Sequence, residues 1–137
     1  MLMQPYVFFD GRCEEAIDFY KKAIGASTEM VMKWKDCPDK SAVTPKNENK
    51  VMHACIQVGD MKLLASDGSC EGKPEFKGFA LTLSAKTDAE ADKLFNALSQ
   101  GGQVQMPMTK TFFSPKFGMC ADKFGVGWMV LVESGRP

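Results

Sequence analysis

Histidine is nearly absent from this chain of 137 residues, which contains only His53. Neither sign of charge is in excess, because 17 basic side chains balance 17 acidic ones. Nucleic-acid binding normally requires a basic face, so we expect no nucleic-acid partner. The apolar runs are much shorter than the roughly 20 residues that cross a bilayer as a helix. We therefore expect no membrane partner, and the first residues show no signal peptide.

The cysteines lack the arrangement of a disulfide framework. Their number is odd, their gaps are wide, and no pair has the spacing C-x-x-C; they are Cys13, Cys37, Cys55, Cys70 and Cys120. Secreted disulfide-rich chains usually have an even number of cysteines at closer spacing. We therefore expect a cytoplasmic protein. The length is that of one domain, which we place at 1–137.

Methionine and phenylalanine are both plentiful, with ten residues of each. Two interpretations are open. Flexible Met side chains fill irregular gaps in a core, and the same side chains can line an adaptable apolar pocket.

Hydrophobic periodicity predicts the order strand, helix and three strands, repeated once. One helix begins at Cys13 and is closed by Gly25, and a second follows the capping box Thr87–Glu90 and ends at Gly101. Gly59-Asp60 predicts a hairpin turn. The polar segment 36–49 is a long loop, either a functional lid or a mobile connection. The predicted strands are 4–9, 28–34, 50–60, 61–68, 79–85, 103–113, 116–125 and 126–133.

The two halves of the chain match in register as well as in element order. Glu15-Ala16 and Glu90-Ala91 occupy equivalent helix positions 75 residues apart, as do Phe19-Tyr20 and Leu94-Phe95. Two βαβββ modules, about 1–70 and about 76–137, would each be too small to bury a sheet face alone. The predicted fold class is α+β with mostly antiparallel sheets.

Several segments, spread over nearly the whole chain, resemble the PhnB-like branch of the vicinal-oxygen-chelate superfamily, which includes glyoxalase I, ring-cleaving dioxygenases and bleomycin- and fosfomycin-resistance proteins. Relatives often carry a tryptophan in a T-F-W-G segment, where this chain has Phe113-Ser114. The segments are PYVFFDG (5–11), Glu15-Ala16, Phe19-Tyr20, His53-Ala54, Ser66-Asp67, Thr111-Phe112-Phe113, Phe117-Gly118 and DKFGVGWMV (122–130).

The resemblance implies cupped sheets whose cavity, in many members, holds a divalent metal. Matching the strands places the ligand positions at Gln4 or Pro5, Leu63 or Leu64, Gly78, and Met129. Only Gln4 has a suitable donor, and a hard cation needs several nitrogen or oxygen ligands. We therefore expect no metal and no other cofactor. An old family label names a methyltransferase, but the chain lacks the glycine-rich turn of a nucleotide-binding fold.

His53, Ser66 and Asp67 are the candidate catalytic residues. Strand alternation places His53 on one face with Val51, Cys55 and Gln57. An imidazole titrates near neutral pH and serves as a general base, with Asp67 holding its tautomer and Ser66 beside it. The alternative is a structural histidine, with Ser66-Asp67-Gly68 as a turn that ends the strand.

The candidate ligand-binding residues are apolar and mostly aromatic. They either form the core or line a pocket that stacks on a planar ligand. They are Phe9, Phe112, Phe113, Phe117, Trp128 and Met129.

Three functions remain open from the sequence. The first is a metal-free protein that binds a small apolar or aromatic molecule. The second is an enzyme that uses His53 with Ser66 and Asp67, and the third is a metal-dependent lyase or dioxygenase. The resemblance also implies a homodimer, because exposed sheet edges need covering.

Overall fold

The computed structural model describes residues 1–68 and 74–133, which fall into two compact units, Met1–Pro74 and Glu75–Pro137. Within the described residues, each unit has one α-helix and four β-strands in the order strand, helix and three strands. The predicted α+β class and the two βαβββ modules are therefore confirmed. Cys70 lies outside the described residues.

The elements of the first unit are β1 (Tyr6–Phe8), α1 (Cys13–Ile24), β2 (Ser27–Lys33), β3 (Val51–Val58) and β4 (Met61–Ser66). They form a sheet in the order β1-β4-β3-β2, in which β1 and β4 are parallel and the other pairs are antiparallel. Gly59 and Asp60 form the predicted two-residue turn between β3 and β4. Two short 3₁₀ turns, Trp34–Asp36 and Lys40–Ala42, lie in or beside the predicted loop 36–49.

Helix α1 covers one face of this sheet. Its buried side chains, Ala16, Ile17 and Tyr20 among them, recur at helical spacing. The buried apolar strand residues that register places together on the face toward α1 are Val7, Ala54, Ile56, Leu63 and Ala65.

The opposite face, which we call the first open face, has no helix from this unit against it. Phe8 is 51% exposed and Tyr6 is 40% exposed, although both are large aromatic residues. Register places six further side chains on this face: Met30, Met32, His53, Cys55, Leu64 and Ser66.

The elements of the second unit are β5 (Leu81–Ala85), α2 (Asp88–Ser99), β6 (Gln103–Thr109), β7 (Phe117–Ala121) and β8 (Gly127–Val132). They repeat the arrangement of the first unit, with the sheet order β5-β8-β7-β6 and a parallel pair β5–β8. Helix α2 packs on this sheet through Ala91, Phe95 and Leu98, which are buried. Gly118 faces this helix, because a Cβ there would lie 2.9 Å from Phe95 Cε1.

The face of this sheet away from α2 is the second open face. By register it carries Phe117, Met119, Met129 and Leu131. Of these, Phe117 is buried and the other three are partly exposed.

The helix ends follow the predicted local signals. Gly25 adopts φ +69° after α1, and its amide donates to the carbonyl of Tyr20. Thr87 Oγ1 accepts from the Glu90 amide at 3.1 Å. Both helices have 12 residues and begin 75 positions apart, at Cys13 and Asp88. Neither helix in the described part of the chain is long and apolar enough to cross a membrane.

The predicted alternation along β3 does not extend to Val51. This residue is fully buried, whereas His53, Cys55 and Gln57 are partly exposed. The pairing with β2 shifts register between Met32 and Lys33, opposite this part of β3. Such a shift disrupts the regular alternation of side chains.

Candidate ligand-binding face

Tyr6 and His53 form the central polar contact of the first open face. The Tyr6 hydroxyl lies 2.8 Å from His53 Nδ1. The two residues belong to β1 and β3, and β4 lies between them, so the bond links side chains across the middle strand. Burial raises the pKa of the Tyr6 hydroxyl; a hydrogen bond with Ser66 opposes the rise, and the Cys13 thiol adds to it.

A row of three rings runs across this face. Tyr6 stacks on Phe8, with ring centroids 4.9 Å apart and an interplanar angle of 29°. The His53 ring lies on the other side of Tyr6, at 5.6 Å and 38°. Alternation along β1 places Tyr6 and Phe8 on the same side. Because the rings stack on one another, the row offers partly exposed ring edges, with a polar group at one end.

A charged cluster lies further along the same face. Lys62 Nζ is 3.1 Å from Glu29 Oε2, and the Cys55 thiol lies 3.6 Å from the same oxygen. Burial and the hydrogen bond to Glu29 raise the pKa of Cys55. A raised pKa keeps the thiol protonated and weakly nucleophilic at neutral pH.

Asp67 is the anchor of helix α1. Its Oδ1 accepts from the amides of Gly11 at 2.7 Å and Cys13 at 2.8 Å, and its Oδ2 accepts from the amide of Val51 at 2.9 Å. The residue is 2% exposed. A buried carboxylate on three backbone N–H groups ties the start of the helix to β3. The geometry therefore favours a structural role for Asp67, and the partner of the His53 imidazole is Tyr6.

Ser66 is also engaged with the backbone. Its hydroxyl accepts from the Gly68 amide at 2.8 Å and donates to the Val51 carbonyl at 3.4 Å. It lies opposite Phe8 in the parallel pair, so it forms the buried floor beside the ring row.

The predicted aromatic residues of the second unit form a separate cluster. The Phe113 ring lies 5.1 Å from the Phe112 ring and 5.0 Å from the Phe117 ring, edge to face in both cases. Phe112 is 93% exposed and Phe117 is buried. The cluster thus extends from the second open face to the surface.

Phe9 and Trp128 lie on the helix-covered faces. The Phe9 ring is 6.2 Å from the ring of Tyr20 on α1. The Trp128 indole donates to Asp122 Oδ2 at 2.8 Å, and both residues are buried. Their neighbours in β1 and β8, Phe8 and Met129, are the residues that occupy open faces.

The sequence pattern alone did not single out Tyr6, Phe8 or the methionines of β2. Strand alternation in the segment YVFF does show that Tyr6 and Phe8 lie on one face of the sheet and that their neighbours lie on the other. Which of the two sets is open depends on the side that α1 covers. A shift of one residue exchanges the faces completely.

The positions matched to superfamily metal ligands do not fit a metal. They provide the amide of Gln4, the side chains of Leu64 and Met129, and a glycine at 78. Aliphatic and thioether groups are not ligands for a hard divalent cation. In residues 1–68 and 74–133, no three His, Cys, Asp or Glu side chains are grouped so that they could hold an ion.

A nucleotide-derived methyl donor fits no better. Such cofactors bind where a glycine-rich turn joins a strand to a helix in a parallel, doubly wound sheet. Here each sheet has one parallel pair and one helix, and β1 and β2 occupy opposite edges of the first sheet.

Known proteins resemble this chain along its full length. Protein YjdN of Escherichia coli strain K12 is 28% identical over 100% of this chain and 99% of its own. The crystal structure of PA1353 from Pseudomonas aeruginosa is 39% identical, covers 97% of this chain and 98% of that chain, and has a TM-score of 0.87. A Bacillus cereus PhnB protein, described as a putative 3-demethylubiquinone-9 3-methyltransferase, is 24% identical over 96% and 99%, with a TM-score of 0.80.

More distant structures share the fold alone. A glyoxalase-related enzyme from Fulvimarina pelagi is 16% identical, covers 100% of this chain and 92% of that chain, and has a TM-score of 0.66. The fosfomycin resistance protein FosX of Listeria monocytogenes is 7% identical over 98% and 94%, also with a TM-score of 0.66. The model of the family described as 3-demethylubiquinone-9 3-methyltransferase matches residues 2–131. The chain therefore belongs to the family described as 3-demethylubiquinone-9 3-methyltransferase, and it shares its fold with the Fulvimarina pelagi and Listeria monocytogenes proteins.

Proposed function

We propose that the protein binds a small apolar or aromatic molecule on its first open face, without a resident metal. The observation that carries the proposal is the row of rings formed by Phe8, Tyr6 and His53. Exposing large aromatic side chains side by side is unfavourable in water, and a contiguous exposed apolar patch usually marks a binding surface.

The dimensions of the row favour a small ligand. The row is three rings long, with separations of 4.9 and 5.6 Å, so a ligand of two or three fused rings can contact more than one of them. An edge-to-face contact with such a ring contributes about 0.5–1.5 kcal/mol per pair beyond the burial of area. The methionines on the same face provide side chains that adapt to the ligand outline.

Methionine methyl groups provide the readout that tests this proposal. 2-Ethylnaphthalene is titrated into protein labelled with ¹³C at the Met methyls. We expect the signals of Met30 and Met32 to shift, and Phe8→Ala to weaken binding about tenfold, since losing one aromatic contact costs on the order of 1.5 kcal/mol. Met61→Ala is the matched control, because Met61 is exposed at the far end of β4.

The second open face is the alternative location of the same function. There Met129 and Met119 lie on the face from which the Phe112–Phe113–Phe117 cluster extends. If the methyl signals of Met119 and Met129 shift while those of Met30 and Met32 stay unchanged, the binding site lies in the second unit instead. The absence of shifts on both faces at saturating probe would contradict binding.

Acid–base catalysis by His53 is the second candidate function, favoured by the 2.8 Å contact with Tyr6. Such a pair assists proton transfer at a carbon next to a carbonyl group. The test follows exchange of the acetyl protons of 2-acetylnaphthalene in D₂O. Catalysed exchange that His53→Phe abolishes would support an enzyme, and equal rates for the two proteins would exclude this reaction.

We also propose a cytoplasmic homodimer, consistent with cysteines that lack the arrangement of a disulfide framework and with β2 and β6 as edge strands. Light scattering across a range of concentrations measures the mass. A monomer at every concentration would contradict the dimer.

A further inference from the structure

The tautomer of His53 determines what the first open face presents to a ligand. The imidazole has two nitrogens, and the hydrogen bond of one fixes the protonation of the other. Nδ1 lies 2.8 Å from the Tyr6 hydroxyl. Among residues 1–68 and 74–133, Nε2 has no hydrogen-bond partner.

Two arrangements of the Tyr6–His53 bond are chemically possible. If Nδ1–H donated to the tyrosine oxygen, the hydroxyl proton would need Ser66 Oγ as its acceptor, and this oxygen already accepts from the Gly68 amide at 2.8 Å. If the hydroxyl donates to Nδ1, both groups are satisfied and the ring proton resides on Nε2. The second arrangement leaves Ser66 with the two backbone hydrogen bonds that its hydroxyl makes, to the Gly68 amide and the Val51 carbonyl.

We infer that His53 is held as the Nε2–H tautomer and donates a hydrogen bond to a carbonyl or carboxylate oxygen on an aromatic ligand that packs against the ring edges of Tyr6 and Phe8. The inference rests on the proposed function and names the ligand class. The rings bind the apolar body, and the single N–H at the end of the row selects a ring that carries an oxygen acceptor. Tyr6 serves as a positioning residue because it orients the imidazole proton.

The specificity is tested with two probes of nearly equal shape. 2-Acetylnaphthalene carries a carbonyl oxygen, and 2-ethylnaphthalene lacks it. We expect the ketone to bind about tenfold more tightly, which is the contribution of one well-formed hydrogen bond. His53→Phe should remove the preference while retaining binding of the hydrocarbon, and His53→Gln, whose amide places an N–H near Nε2, should restore part of it.

The tautomer is read directly, because the chain has one histidine and its ¹⁵N imidazole signals need no assignment. We expect the Nε2–H pattern in the native protein and a mixture in Tyr6→Phe, in which Nδ1 loses its donor. An Nδ1–H pattern in the native protein would overturn the inference.

The possible failures are distinguishable. Equal affinity for the two probes, unchanged in His53→Phe, would overturn the hydrogen-bond selection and leave the proposed function intact. Failure of both probes to bind would refute the proposed function as well. If a second copy of the chain covers the first open face, probe binding should fall as protein concentration rises. That result would count against both the hydrogen-bond selection and the proposed function.

Discussion

At the scale of single residues, Asp67 shows how a sequence motif changes meaning in the structure. The pair Ser66-Asp67 predicts either a catalytic partner for His53 or a turn that ends a strand. The carboxylate accepts from the backbone amides of Gly11, Cys13 and Val51. These partners could not be predicted from the sequence, because Gly11 and Cys13 both precede Asp67 by more than 50 residues.

Replacement of Asp67 by Asn should destabilise the first unit. The amide group turns one accepting oxygen into a donor, which would face a backbone N–H in a buried site. We expect the free energy of unfolding to fall by about 2–4 kcal/mol, measured by urea denaturation. Asp60→Asn in the exposed hairpin turn is the control. Equal stability of the two variants would show that the three hydrogen bonds contribute little.

The aromatic residues show the same limit of sequence reasoning. Phe9 and Phe8 are adjacent and chemically identical, yet one contacts α1 and the other is exposed. The sequence leaves open whether such aromatic residues form the core or line a pocket. The choice between neighbours depends on which face the helix covers, and long-range packing determines that face.

At the scale of elements, the helix caps and hairpin turns that depend on neighbouring residues could be predicted correctly from the sequence. The helix after Thr87, its capping residue, the closing Gly25 and the Gly59-Asp60 hairpin are all determined by residues a few positions apart. Strand lengths were predicted less well: β6 ends at Thr109, where the sequence predicted a strand to residue 113. Pairing partners decide where a strand stops, and the sequence does not name them.

Thr87→Ala should shorten or weaken helix α2. The Thr87 hydroxyl accepts from the Glu90 amide at 3.1 Å, and losing such a cap costs about 1 kcal/mol. We expect a stability loss of this size, together with faster amide exchange in the first turn. Thr87→Ser retains the hydroxyl and should remain near the native stability. Identical losses in the two variants would assign the effect to the side-chain methyl group.

At the scale of the whole molecule, the buried thiols connect stability to pH. Burial, with the charges of Asp67 and Glu14, raises the pKa of Cys13 from 9.0 to about 12. Burial also raises the pKa of Cys120 and of Tyr6. All three groups therefore favour the protonated form more strongly in the folded chain than in the unfolded chain.

The free energy of unfolding should consequently decrease in alkaline solution. Below the unfolded pKa of 9.0, both states of Cys13 hold the proton and its contribution is fully present. As pH rises from about 9 to about 12, only the unfolded thiol ionises, so stability falls, by at most about 4 kcal/mol from this group. Urea denaturation at intervals of half a pH unit measures the slope.

Cys13→Ala is the comparison that isolates the thiol. The variant should be less stable at neutral pH, because a buried group is lost, and its stability should fall less steeply above pH 9. Parallel curves for the two proteins would assign the alkaline loss to other groups.

The different capping of the two helices has a consequence for the order of folding. Thr87 caps α2 from three positions away, so this cap closes within one short, rapidly formed segment. The Cys13 amide of α1 receives its cap from Asp67, across 54 positions. Closing so long a loop costs entropy and time. The start of α1 should therefore become ordered late in folding, after β4 has brought Asp67 into place, whereas α2 nucleates early.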